Sequence, residues 1–229
     1  MKNYLIIGGS SGIGLATVEL LLSTGNQVFA THFSKEKPNN EAQYFQLNVL
    51  DEAFDLSFLP ETLDGLLYCP GNINLKPFGR FKSQDFVDDY QLQVVGAVKI
   101  IQAVLPRLKK AESASILLFS TVAVQTGFGF HSLVAASKGA LEGLTRALAA
   151  ELAPTIRVNC IAPSITHTPL ATNILNTPEK IEANAQRHPL KRIGTSNDIA
   201  KSAVFLLTEQ SSWITGQILH VDGGISRVK

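Results

Sequence analysis

Cysteine is scarce in this 229-residue chain: only Cys69 and Cys160 occur, each inside an apolar, strand-like run where a buried free thiol is the plain reading. That excludes a disulfide framework and leaves neither residue a redox or metal role, so no metal is expected. An excess of one charge is missing too. The formal net charge is +1 with Lys and Arg scattered along the chain, which offers no basic stripe to a nucleic-acid backbone. No apolar run is long enough to cross a bilayer, and the first residues carry a strand and a glycine turn where a signal peptide would place its apolar region. The expectation is a cytoplasmic protein with neither nucleic acid nor membrane as partner. Internal repeats and low-complexity segments are also lacking.

What is present is a large apolar fraction, 45% of 229 residues, enough for one domain with a sizeable core and too little for two with a linker. We read residues 1–229 as a single domain. It is organised around Tyr4–Ala16: a short apolar run, glycines at 8, 9, 12 and 14, then helical spacing through Leu15, Val18 and Leu22 to a stop at Gly25. Glycine permits positive φ and puts no Cβ in the way, so the amides from Ser10 to Ile13 can approach an anion at the positive end of the helix. The spacing, G-x-x-x-G-x-G, fits a phosphate cradle, but glycine turns also serve as plain strand-to-helix connections; local spacing leaves both open.

Strands are expected at Gln27–Thr31, Tyr44–Leu47, Leu63–Cys69, Ser115–Ser120, Ile156–Ile161 and Gln217–Val221, and long helices at Ser83–Lys109, with Ser83 as N-cap, and Val134–Leu152. Asp51–Thr62 offers at most a short helix, and Pro163–Pro189 reads as irregular before a helix from Ser196. Alternating strands and helices predict a doubly wound, Rossmann-type parallel sheet with helices on both faces. The density of Ala, Gly and Ser in the 134–152 helix fits either subunit contact or close packing within the chain.

Four motifs, in order and at consistent spacing, resemble the short-chain dehydrogenases/reductases: Gly8-x-x-x-Gly12-Ile13-Gly14, Ser137-Lys138 opening a small-residue helix, Arg157–Pro163, and Ile214–Gln217 with Val221–Gly224. The resemblance implies an oxidoreductase that binds NAD(H) or NADP(H). It implies that Gly8, Ser10, Ser11, Gly12, Ile13 and Gly14 hold the pyrophosphate, that Thr31 and His32 flank the adenosine ribose, and that Asn48 and Val49 border adenine. Gly71 would lie along the cofactor, with Ile165 and Thr168 at the nicotinamide. The second strand ends in Thr31-His32 rather than an acidic residue, so NADP(H) is favoured and NAD(H) possible, with His32, Lys35 and hydroxyls to meet the 2′-phosphate. Relatives usually form dimers or tetramers through the two long helices, which implies a homo-dimer or homo-tetramer here.

In the family a tyrosine four residues before the lysine gives the proton, a serine polarises the carbonyl, and an asparagine supports a relay. Counting from Lys138 and Gly96, those positions hold Val134, Thr121 and Gln93. Thr121 keeps a hydroxyl and Gln93 an amide; Val134 has no proton to give, and a positioned acid is worth about 10²–10⁴ in rate. His131 and His167 are conceivable substitutes, although polar loop histidines are the plainer reading of both. Phe128, Phe130 and Leu133 make the mouth apolar, which suits an apolar small-molecule ligand. Two functions follow: an NAD(P)(H)-dependent oxidoreductase with weakened or unconventional catalysis on a carbonyl or alcohol, or an inactive nucleotide-binding pseudoenzyme serving as a regulatory or assembly subunit.

Overall fold

The alternation of apolar residues along the strands builds two cores. In the computed structural model, whose described residues are 1–33, 38 and 40–228, Leu5 and Ile7 of β1 (Asn3–Ile7) face one side of the sheet and Tyr4 and Ile6 the other. The chain then runs through α1 (Gly12–Ser23), β2 (Gln27–His32), β3 (Gln43–Gln46), β4 (Gly65–Tyr68), α2 (Ser83–Tyr90), a π-helical segment Gln91–Val95, and α3 (Gly96–Leu108). It continues with β5 (Ala114–Phe119), a short α4 (Ala123–Thr126), α5 (Ser132–Leu152), β6 (Ile156–Pro163), β7 (Thr166–His167), α6 (Pro178–Gln186), β8 (Gly194–Thr195), α7 (Ser196–Leu207) and β9 (Ile218–Val221).

Seven parallel strands pair in the order β3-β2-β1-β4-β5-β6-β9. The direction of winding reverses between β1 and β4, and their carboxyl ends open the crevice where such sheets take ligands. Helices α3 and α5 bury Ile100, Val104 and Leu141 on one face; α1 and α7 bury Val18, Leu21, Ile199 and Leu206 on the other. The doubly wound architecture is as the sequence predicts.

Three local expectations change. The 163–189 stretch is not all irregular, because Thr177 caps α6, its hydroxyl accepting from Lys180 N–H at 3.3 Å with Pro178 in the first turn. Ser83 is the first helical residue and Lys82 precedes it; the Asp85 carboxylate accepts from Lys82 N–H at 2.9 Å. The 83–109 helix carries a π-helical insertion at its centre. Asp51–Thr62 forms turns and bends without a helix, within the expectation of at most a short one. Among the described residues no helix is long and apolar enough to cross a membrane.

Candidate active site

The crevice is one cavity of about 800 Å³. Its first end is the glycine turn. Gly8 stands at φ +77°, and its N–H donates to Thr31 Oγ1 at 3.1 Å, so that hydroxyl is committed to holding the turn. A Cβ on Gly14 would lie 2.2 Å from the Gly8 carbonyl oxygen, so only glycine lets α1 start this close under β1. Ser11, the residue before α1, makes no capping bond, which leaves the first-turn N–H groups turned toward the cavity. We expect Gly14→Ala to cost roughly 1–3 kcal/mol through forced backbone movement. A thermal melt reading the same as wild type would refute this packing.

Ser10, Ser11, Gly12, Ile13, Asn48, Val49, Gly71, Ile165 and Thr168 line the same cavity, and Thr168 closes over the turn, 3.5 Å from where a Gly12 Cβ would sit. Thr31 lines it as well. His32 does not: its side chain is buried at the end of β2, and Phe33, 73% exposed, takes the place on the wall. Lys35 lies outside the described residues.

At the other end Thr121, Val134 and Lys138 share the wall. Lys138 is buried on α5; burial pushes its ammonium down from the ordinary value to about 8, a fall that the nearby Cys160, Asp89 and Cys69 partly offset. Burial pushes the Cys69 and Cys160 thiols up to about 12, so both stay protonated at neutral pH. Gln93 projects from the π-helical segment, a distortion that re-aims side chains. Its Nε2 donates to Asp89 Oδ2 at 2.7 Å, and Ser137 Oγ donates to the same oxygen at 2.6 Å. Gln93 Oε1 and Lys138 Nζ converge on Gly71, 3.3 and 3.5 Å from where its Cβ would be. Thr121 Oγ1 accepts from Ala123 N–H at 3.3 Å, which leaves the hydroxyl proton to be donated.

His131 lines the cavity beside Val134, with Nδ1 2.8 Å from the Gly129 carbonyl; His167 is exposed on β7 and off the wall. The apolar mouth differs from the expected one. Phe128 lines it, but Phe130 points to solvent at φ 71° and Leu133 is in the interior, while Leu75, Leu170, Ile174 and Ile225 complete the surface. Sequence reasoning did not find Asp89, Ser164 or His188. Asp89 is buried in α2, a helix whose polar composition reads as solvated, and the other two lie where no apolar periodicity marks a structure. The Thr-Pro-Glu start of α6 was the available signal.

Comparison with known proteins agrees over nearly the full length. A family model described as enoyl-(acyl carrier protein) reductase matches residues 8–226. A tropinone reductase homolog of Arabidopsis thaliana is 32% identical, covering 98% of this chain and 92% of its own. Among solved structures, one described as a short chain dehydrogenase/reductase family protein superposes with a TM-score of 0.90 at 28% identity, covering 99% of this chain and 98% of that one. ElxO with NADP bound gives a TM-score of 0.86 at 26% identity, covering 98% of each chain.

Proposed function

The chain belongs to the short-chain dehydrogenase/reductase family, and from that premise we propose that it is an NAD(P)(H)-dependent oxidoreductase acting on an apolar carbonyl or alcohol with unconventional proton chemistry. The observation that carries this is the continuity of one cavity from the glycine turn to Lys138, Thr121 and Val134. A family cofactor fits it: the uncapped start of α1 and the Gly14 close approach make an anion cradle, and buried Lys138 stands at the far end. When bound, the nicotinamide supplies or accepts hydride. Lys138 would hold the nicotinamide ribose and Thr121 would donate to the substrate oxygen, while Gln93 Oε1 is buried near the ammonium without a hydrogen-bond partner of its own. Val134 supplies nothing to the oxygen.

NADP(H) is the favoured nucleotide, since β2 ends in Thr31-His32 and Phe33 follows it, with no carboxylate to repel a 2′-phosphate, and ElxO carries NADP in the same fold. The apolar walls at Phe128, Leu170 and Ile174 suit a hydrophobic substrate body. Exposed Gly143 and Ala147 on α5 fit a homo-dimer or homo-tetramer, which light scattering checks. Val134 itself favours a second reading, a nucleotide-holding pseudoenzyme in a regulatory or assembly role.

Fluorescence titration separates these from a chain that binds no nucleotide. NADPH binds, and more tightly than NADH. Because the Lys138 ammonium titrates near 8, affinity is full below that pH and falls as pH rises through it. No binding of either nucleotide would overturn the assignment, and unchanged affinity from pH 7 to 9.5 would overturn the role of Lys138.

A further inference from the structure

Directly beside Thr121, a serine and a buried histidine are wired together. Val122 N–H donates to the Pro163 carbonyl at 3.2 Å, which continues the β5–β6 register past the strand ends and sets Thr121 opposite Pro163, one residue before Ser164; Thr121 and Ser164 both line the cavity. Ser164 Oγ is 2.8 Å from Nε2 of His188. Nδ1 of that ring is 2.8 Å from the Asn184 carbonyl oxygen in the last turn of α6, and His188 is 2% exposed. A carbonyl oxygen only accepts, so Nδ1 carries a hydrogen; Nε2 of the neutral ring then accepts the Ser164 hydroxyl proton, whereas the imidazolium donates to Ser164 from Nε2. A hydroxyl backed by a base that a third group orients is the arrangement that moves protons into a reaction pocket.

We propose that Ser164 and His188 form a proton relay that performs, for the carbonyl–alcohol chemistry proposed above and resting on it, the proton transfer that Val134 cannot. In reduction, a C–H bond of a reduced nicotinamide would break, its hydride bonding to the carbonyl carbon and leaving the oxidised nicotinamide, while the π pair of the C=O bond moves to oxygen. Ser164 gives its hydroxyl proton to that oxygen, the His188 imidazolium replaces it through Nε2–H, and neutral His188 regains a proton from solvent before the next turnover. Oxidation runs the same path backwards, with Ser164 taking the alcohol proton as its own passes to His188. Ser164 touches the substrate; His188 acts through it. His131 is the weaker candidate, because its ring stands edge-on to Phe128 in an exposed loop, bonded to that loop's own Gly129 carbonyl.

The charged and titratable groups around His188 are Asp222, Asp198 and Arg192 on the small cavity beneath it, Arg187 beside it in sequence, and Lys138 and His131 across the larger one. Asp198 and Arg192 are bonded to each other at 2.6 and 2.9 Å, so neither is committed to the ring. Reduction needs the imidazolium, so removing the ring removes whatever pH dependence the relay gives the rate.

The test begins with the nucleotide-free protein. Long-range proton–nitrogen NMR of the His188 ring gives the Nδ1–H tautomer at high pH, with the Nε2 resonance displaced in Ser164→Ala; an Nε2–H tautomer would overturn the relay. NADPH oxidation with a panel of aromatic 1,2-diketones then falls about 10²-fold in Ser164→Ala and His188→Gln while NADPH affinity holds, and His188→Gln flattens the pH profile. Adding Val134→Tyr to Ser164→Ala restores turnover, which a merely structural loss would not allow. Wild-type rates in both variants, loss confined to His131→Gln, or no restoration by the phenol would refute the relay. Wild type that binds NADPH and reduces none of the panel refutes it and leaves the cofactor reading standing, whereas absence of NADPH binding removes both.

Discussion

With the relay removed by Ser164→Ala, adding Val134→Tyr raises ketone-dependent NADPH oxidation by about 10²-fold or more, the lower part of the range for a positioned general acid. Val134 lies on α5 four residues before Lys138 and faces the cavity that Thr121 and Lys138 share, so the phenol enters the reaction pocket rather than the core. The space is there, about 800 Å³ in one cavity, which keeps the usual cost of a larger side chain small. Lys138 already stands one turn along, where its ammonium favours the phenolate and so eases proton transfer. The gain is in kcat and not in NADPH affinity, because the added group acts on the substrate oxygen. Ser164→Ala turnover that the added phenol leaves unchanged, with folding and nucleotide binding intact, would show that no proton is lacking there.

Arg157→Met destabilises the fold by about 3–5 kcal/mol, because the side chain is a donor that several buried oxygens depend on. From β6 its guanidinium reaches the far end of α7, donating to the Leu206 carbonyl at 2.9 Å, the Thr208 carbonyl at 3.0 Å and Ser211 Oγ at 2.8 Å. The Leu206 carbonyl lies in the last turn of α7, where no later helical N–H can reach it, and it also accepts from Ser115 Oγ at 2.9 Å. Methionine replaces the stem and none of the donors. For a domain of this size the loss is about 2–4 °C per kcal/mol, so the melting temperature drops by roughly 10 °C. Arg157→Lys recovers only part, since an ammonium cannot span all three acceptors as a planar fork does. A drop of less than 2 °C for the methionine variant would refute this role.

Neither effect is equally visible in the chain's own order. The first comes from a count: Val134 precedes Lys138 by four, and helical geometry puts both on one face. The second does not, since Arg157 reads only as part of an apolar strand. The same division runs through the site. That Gly8, Ser10–Gly14, Gly71 and Thr168 line one cavity was legible, because a turn needing positive φ or close approach must spell itself in glycine and motif spacing carries the rest. His32 was placed on the wall, but the strand's alternation carries through the end of β2: Thr31 and Phe33 line the cavity and His32 between them does not. Helix α6 was missed because it buries only Ala185, so its start signals had no apolar stripe behind them.

By itself, then, the order of residues determined the alternation of strands and helices, the two-sided burial of the sheet, the glycine cradle and the hydrocarbon at position 134. Each depends on neighbours within a turn or two, where local geometry repeats. Only the tertiary structure brought Ser137 to Asp89 across 48 residues, Arg157 to Thr208 across 51, and Ser164 to His188 across 24. Those pairings arise when buried polar atoms, enclosed by packing, must find partners wherever the folded chain has put them.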